Sequence, residues 1–285
     1  YLFLINKMEL LKLENASEAV ILKRPSKNCK TPYVADIQLE DKEFIGHCPS
    51  LGCCGHADAS ANVIVVQLPE KKKQTCTHRV ELAVISPDEK DDAREIIIGI
   101  NPKLAETLVE EAIKLNYIKD LQHVKKYARE VKFLNSRFDF CGIDENDKKF
   151  ILEVKNVPLA DYVDVPKKEK KNYKEEMKNK KFNEKISYFP DGYRKNSTDV
   201  VSPRALKHIQ ELEELAKNEN IRAILCFVIQ RNDVTHFQTS NVDLIYKQAV
   251  LKASQNGVEI TVLQVEWNKE GSCKFVSNDL PIILN

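Results

Sequence analysis

Residues 222–229 read Arg-Ala-Ile-Leu-Cys-Phe-Val-Ile, so that after the arginine seven positions pass without a polar side chain. A strand that is apolar at every position has both faces covered, as parallel strands do inside an α/β sheet. The flanking sequence agrees. Residues 202–217 have helical spacing, opened by Ser202-Pro203, with Leu206, Ile209, Leu212 and Leu215 along one side. Residues 243–256 read as a second helix stopped by Gly257, and a strand follows at 258–267. Strand, helix, strand in this order predicts a crossover unit within a sheet covered by helices. The apolar run is far shorter than the ~18 residues of a spanning helix, so no membrane partner is expected.

The first ninety residues have a different period. Short alternating or β-branched segments at 19–23, 34–39, 43–47, 62–67 and 79–85 are separated by Pro25, Pro32, Asp41, residues 49–55 and the lysines at 71–73. Five short strands at roughly ten-residue spacing predict a small barrel or sandwich, and a five-stranded oligonucleotide-binding (OB-like) barrel fits the count. After the turn-rich residues 87–94, a strand at 95–100 leads through Asn101-Pro102, a cap and first-turn proline, into a helix at 103–115. Strands at 129–134, 137–142 and 149–157 follow. The expected architecture is α/β, α+β overall: a small β-barrel or sandwich over 8–90, then an α/β domain over 91–285 with a mixed sheet flanked by helices.

Residues 166–185 interrupt the second domain with nine lysines against four acids. They form a solvated loop or helix on one reading and a flexible arm touching phosphate backbones on the other. The whole chain has 44 basic and 43 acidic residues, a net charge of +1. No global field therefore marks a polyanionic partner, and any basic surface must be local. Eight cysteines are scattered along the 285 residues, with Cys226 inside the apolar run. That usage predicts a reducing, intracellular compartment (cytoplasm, or nucleus in a eukaryote) with no disulfide framework. Residues 1–7 are mostly apolar but lack a preceding basic region and a small-residue cleavage site, a poor match to a signal peptide.

The chemistry-bearing residues lie on two adjacent strands. Along 149–157 the side chains alternate, so Glu153 and Lys155 share one face with Ile151 and Val157. Along 137–142, Asp139 stands opposite Phe138 and Phe140. Charges buried in such surroundings need a partner or a metal. Asp139, Glu153 and Lys155 make the pattern D-x13-E-x-K, the arrangement of the PD-(D/E)xK nuclease core. There two carboxylates hold Mg2+ (or Mn2+) and the lysine handles the attacking water. On the preceding helix Leu104, Leu108 and Leu115 mark a stripe that contains Glu111 and excludes Glu106 and Glu110, so Glu111 is the expected third acid.

The sequence resembles the SfsA family, the sugar fermentation stimulation proteins. The resemblance rests on Tyr33-Val-Ala-Asp-Ile37, Gly46-His-Cys-Pro-Ser50 with Gly52, Asn101 through Ala112, Arg129-Glu-Val-Lys132 and Arg137-Phe-Asp-Phe140. It continues through Leu152-Glu-Val-Lys-Asn156, Phe189-Pro-Asp191, Arg204-x-x-Lys207-His208, Phe227-Val-Ile-Gln-Arg231 and Gly257-Val-Glu259. It implies an OB-like barrel, a PD-(D/E)xK-like domain and DNA binding, with a regulatory role in sugar metabolism proposed for bacterial members. Two departures stand out: His47-Cys-Pro-Ser-Leu-Gly-Cys-Cys54 replaces the family's HCPNTGSM, and the link carrying the lysines is longer than usual.

Other residues keep two readings each. Lys23, Arg24, Lys27 and Lys30 form either a solvated loop or a phosphate-contacting edge of the barrel. Gln230 and Arg231 hold substrate phosphate or cap the sheet, and Lys207 and His208 open the exposed side of a helix and are candidate phosphate contacts. His47, Cys48, Cys53, Cys54, His56, Cys76 and His78 include no C-x2-C pair, and no zinc is expected. Two functions remain in play: a Mg2+- or Mn2+-dependent DNA nuclease using Asp139, Glu153, Glu111 and Lys155, or a non-catalytic DNA-binding, transcription-regulatory module. A sugar-metabolising enzyme has no support, since neither a phosphate-binding glycine loop nor a nucleophile constellation is present. A restriction-type enzyme often works as a dimer, but nothing in the chain marks a dimer face.

Overall fold

The alternating segments of the first ninety residues fold as strands because each presents apolar side chains to one interior. In a computed structural model, which describes residues 8–51, 55–86, 95–190, 192, 196 and 198–285, the chain divides into two compact units. One comprises residues 1–108, 230–232 and 265–276, the other residues 109–229, 233–264 and 277–285. The expected 90/91 boundary, Cys53 and Cys54, and Gly52 and Asp191 of the family-like segments lie outside the described residues.

The first unit contains β1 (Glu9–Lys12), β2 (Ala16–Lys23), β3 (Val34–Leu39), β4 (Lys42–His47), β5 (Asn62–Gln67), β6 (His78–Ile85) and β7 (Ile96–Gly99). Six of these form a sheet in the order β4-β3-β2-β5-β6-β7. An added parallel pairing of β4 with β6, Gly46 opposite His78 and His47 opposite Arg79, curls the sheet toward closure, as an OB-like barrel requires. Ile21, Ile37, Ile64, Leu82 and Ile98 are fully buried. Each such side chain contributes roughly 1.5–3 kcal/mol relative to exposure. Residues 96–99, expected beyond the domain boundary, are the sixth strand of this sheet, because β7 pairs antiparallel with β6 from Leu82–Gly99 to Ile85–Ile96.

Helix α1 (Pro102–Lys114) begins where the sequence signals it: Asn101 Oδ1 accepts the Lys103 amide at 3.1 Å and the proline occupies the first turn. Its buried stripe is Leu104, Ala105, Leu108, Val109, Ala112 and Ile113, while Leu115 is 42% exposed. The stripe is therefore set by 104/108 and their neighbours, not by 104/108/115.

The remaining elements are β8 (Lys126–Phe133), β9 (Ser136–Ile143), β10 (Lys149–Val157), β11 (Ala160–Asp161), α2 (Lys174–Lys178), β12 (Lys185–Phe189), α3 (Pro203–Ala216), β13 (Ile221–Ile229), β14 (Val234–Thr239), α4 (Leu244–Gln255), β15 (Glu259–Trp267), β16 (Ser272–Ser277) and β17 (Ile282–Ile283). A seven-stranded mixed sheet runs β1-β16-β15-β13-β10-β9-β8. Strands β8, β9 and β10 form an antiparallel meander, whereas β10, β13 and β15 are parallel. A smaller sheet runs β11-β12-β14-β17.

The apolar strand is buried as its composition demands. Leu225, Phe227 and Ile229 join Phe138, Ile151 and Phe237 in one core with Ala205, Ile209 and Leu212 of α3 and Tyr246, Val250 and Ala253 of α4. Both helices have side-chain caps, Ser202 accepting the Ala205 amide at 3.3 Å and Asp243 the Tyr246 amide at 3.0 Å. Gly257 ends α4 at φ +95°, a conformation that glycine adopts without strain. The lysine-rich insertion forms a 3-10 turn at Lys170–Tyr173 followed by α2, and neither buries a residue. Among the described residues, no helix is long and apolar enough to cross a membrane, and the six described cysteines are free. Burial pushes the Cys226 thiol up to about 12, so it stays protonated and inert.

Candidate metal centre

The centre is built on the meander and the second half of β10. Strands β9 and β10 pair from Ile143–Lys149 to Phe140–Leu152. Beyond that point a side chain replaces the backbone ladder: the Val154 amide donates to Asp139 Oδ2 at 2.7 Å. The carboxylate of Asp139 is thereby oriented by the strand that carries Glu153.

Glu153 is only 3% exposed. Lys155 Nζ donates to its Oε1 at 2.5 Å, and His208 Nδ1 on α3 makes a short contact with the same oxygen. An ionised carboxylate can only accept, so the Nδ1 of His208 carries the proton. The other oxygen, Oε2, is buried and has no hydrogen-bond partner among the described residues. Burial pushes the Glu153 carboxyl up, but the Lys155 charge and the bonds from His208 and Lys155 outweigh it and hold the group below the usual glutamate range. The result is an anionic oxygen, desolvated and unclaimed, pointing away from the two groups that neutralise its twin.

A second acid stands across from Asp139. Glu130 on β8 has a φ of +55°, breaking the extended backbone where β8 and β9 would otherwise pair continuously. Carboxylate oxygens of Glu130 and Asp139 lie within 4.8 Å of each other. Glu130 is exposed and has Arg137 Nε 3.9 Å from its Oε2, and a divalent cation between the two carboxylates would offset what repulsion remains. Oxygen donors of this kind suit a hard divalent ion.

Glu111 does not lie on the buried face of α1 where the spacing puts it. Glu111 lies off the buried stripe of α1, with its side chain one-third exposed and ion-paired to Lys114 at 2.7 Å. The correction follows from helical phase, since the true stripe runs through Leu108, Val109, Ala112 and Ile113 and leaves Glu111 on the flank. Glu110 faces β8, accepting from Tyr127 Oη at 3.1 Å and Arg129 Nη1 at 2.8 Å. One turn earlier on that face of the helix stands Glu106.

The candidate DNA contacts separate into two groups. His208, expected on the exposed side of α3, is 4% exposed and packs against Phe138 with ring centroids 5.7 Å apart. It faces the core because it shares a helical stripe with Ala205, Ile209 and Leu212. Gln230 and Arg231 are also buried, at 0% and 3%. Gln230 Oε1 accepts from Trp267 Nε1 at 2.9 Å and its carbonyl accepts the Gly99 amide at 3.2 Å, a contact so close that a Cβ at Gly99 would lie 1.8 Å from Oε1. Gln230 is thus held in the interior against Trp267 and Gly99.

Lys207 remains half exposed and donates to the Asn135 carbonyl at 2.7 Å. Lys23, Lys27 and Lys30 are exposed, whereas Arg24 donates to the Pro32 and Ser50 carbonyls at 2.8 Å each and so braces its own loop.

Two residues are not reached by sequence reasoning. Glu130 lies within a family-like segment, so a signal exists there. Tyr246 carries no signal, because a buried aromatic on α4 reads as core. It is fully buried, its hydroxyl has no hydrogen-bond partner among the described residues, and burial together with the charges of Glu153 and Asp243 pushes its pKa well above the usual value.

Comparison with known proteins places these elements in a family context. The model of the sugar fermentation stimulation protein RE domain (SfsA) matches residues 103–166 and 161–271. Similar curated proteins include the sugar fermentation stimulation protein homolog of Clostridium tetani, 26% identical over 259 residues, covering 90% of this chain and 93% of that protein. The homolog of Thioalkalivibrio sulfidiphilus is 28% identical over 233 residues, covering 80% and 81%. Among solved structures, Pyrococcus furiosus SfsA in complex with Ca2+ superposes with a TM-score of 0.72 at 16% identity, covering 97% of this chain and 99% of that one.

Proposed function

Since this chain belongs to the SfsA family, and Glu130, Asp139 and Glu153 fall within the residues matched by the family model, we propose that it is a divalent-metal-dependent phosphodiesterase acting on DNA. The observation that carries the reading is the open Oε2 of Glu153, a buried anionic oxygen beside a lysine on the same strand. A buried polar atom without a partner costs about 1–3 kcal/mol, which a bound cation would offset. The Ca2+ complex of the Pyrococcus furiosus relative supports a divalent ion in this fold.

Asp139 and Glu130, whose carboxylate oxygens lie together, would hold Mg2+ or Mn2+, with Glu153 on the strand beside Asp139 supplying its open Oε2. When bound, such an ion supplies Lewis-acid polarisation of the scissile phosphodiester. The chain's own residues do the rest. The Val154 amide orients Asp139, and His208 holds Glu153 Oε1 so that Oε2 stays directed away from α3. Lys155 is 11% exposed in its side chain and offers its remaining ammonium protons to the attacking water and to the charge that develops on phosphate.

The test is digestion of single-stranded, duplex and branched DNA by the full chain in Mg2+, Mn2+ and EDTA, beside Glu153→Ala and Lys155→Ala. Metal-dependent cleavage lost in both variants supports the reading. Binding that is indifferent to EDTA and to both substitutions, with no cleavage of any substrate, would leave the non-catalytic DNA-binding, regulatory module in its place.

A further inference from the structure

The lysine-rich insertion is not uniformly charged surface. Three of its lysines fasten it down: Lys170 Nζ lies 2.5 Å from Asp161 Oδ2, Lys180 Nζ donates to the Tyr162 carbonyl at 2.8 Å, and Lys185 Nζ lies 2.7 Å from the buried Asp233. Within the segment, Glu175 pairs with Lys178 at 2.7 Å and Glu176 with Lys180 at 2.9 Å. What remains is Lys167, Lys168, Lys171, Lys174 and Lys181, all exposed and without an ion pair among the described residues.

The anchor points locate this charge. Asp161 follows the end of β10 at Val157, and Asp233 follows the end of β13 at Ile229. The insertion is therefore rooted at the carboxyl ends of the two central parallel strands. Glu153 and Lys155 lie in the last five residues of β10, near that same end. In open α/β sheets ligands bind at the carboxyl ends of the strands.

We infer that residues 166–185 are a docking surface for the phosphate backbone of duplex DNA, contacted by Lys167, Lys168, Lys171, Lys174 and Lys181. The inference rests on the nucleic-acid substrate proposed above. Charge complementarity selects a polyanion, and the composition of the segment selects DNA over a lipid surface. A membrane-binding segment presents large apolar side chains beside its lysines, and none of the exposed large apolar residues falls between 166 and 185. The half-buried Phe182 instead lies under Lys185, whose Nζ is 3.7 Å from its ring centroid.

The test measures anisotropy of a fluorescein-labelled duplex against the full chain in EDTA across a salt series. Wild type is compared with a variant carrying Lys→Gln at all five positions and with its Lys→Arg counterpart. Each DNA phosphate that a lysine neutralises adds about 0.9 to the steepness of log K against log salt. The Gln variant is expected to lose at least ~2 units of slope and at least tenfold in affinity at low salt, whereas the Arg variant keeps both. A Gln variant with the wild-type slope overturns the inference while leaving the nucleic-acid reading intact. Failure of wild type to bind duplex overturns both. Lysine-dependent sedimentation with phosphatidylserine vesicles, with an unchanged slope on DNA, overturns the inference in favour of a membrane surface.

Discussion

Two buried glutamates, one in each unit, start from the same local arrangement and end differently. Glu81 on β6 and Glu153 on β10 are 0% and 3% exposed, and each has a basic residue two positions away on its strand, Arg79 and Lys155. At Glu81 both oxygens are claimed: Oε1 accepts from Arg79 Nε, and Oε2 accepts from Asn101 Nδ2 at 2.6 Å. Because Asn101 also caps α1, Glu81 ties the strand to the start of that helix. At Glu153, Lys155 and His208 converge on Oε1 and leave Oε2 open. A buried acid with a basic neighbour is thus an ordinary structural device. What distinguishes Glu153 from Glu81 is the oxygen left without a donor among the described residues.

The sharpest way to break this contrast is to remove the two basic neighbours. Lys155→Ala is expected to lower metal-dependent cleavage by about 10²–10⁴-fold in single-turnover assays, the range for a group acting on protons in the transition state. Arg79→Ala should leave that rate unchanged, and equal losses would erase the distinction between the two acids. Next in size is the histidine. His208→Ala is expected to cost about 10–100-fold in activity or metal affinity, as loss of a group orienting a ligand does. His208→Asn, which keeps a donor near the Nδ1 position, should restore most of it. A failure of Asn to rescue would reduce His208 to packing.

The closed acid should affect stability instead. Glu81→Ala is expected to cost about 1–3 kcal/mol by leaving Asn101 and Arg79 without an acceptor, seen as a lower urea midpoint at unchanged slope. Mn2+ at ~100 times its dissociation constant adds about 2.7 kcal/mol to wild type and to Glu81→Gln. In Glu153→Gln that thermal shift should be absent.

The smallest effect tests closure by pH. Asp144 is another closed acid: burial raises its pKa, but Arg222 and the amides of Lys148 and Asn146 outweigh burial and hold it below the usual range. A depressed folded value stabilises above the unfolded pKa of ~3.9 and loses that contribution as pH falls through the folded value. The stability advantage of wild type over Asp144→Asn should therefore be constant above about pH 5 and shrink as the solution is acidified below the unfolded pKa.

Much of the fold is legible in sequence because it depends on neighbours along the chain. The apolar run at 222–229 forms the central strand β13, Ser202 and Asp243 cap α3 and α4, and Asn101-Pro102 opens α1. The alternation on β10 places Glu153 and Lys155 together, and the side chains meet. Alternation and capping are set by backbone geometry over a few residues, so a pattern alone can specify them.

Tertiary structure decided what distance along the chain conceals. The phase of α1 puts Glu111 on the flank, and three leucines misplace it because Leu115 lies at a helix end that is left exposed. His208 faces Glu153 across 55 positions, and Gln230 is claimed by Trp267. Glu130 meets Asp139 because the pairing of β8 with β9 sets the two positions opposite each other. The sequence by itself determined the central apolar strand, the capped helices and which acid and lysine share a strand face, because those follow from a local period. Which oxygen is left open and which charges are buried depended on packing between segments remote in sequence.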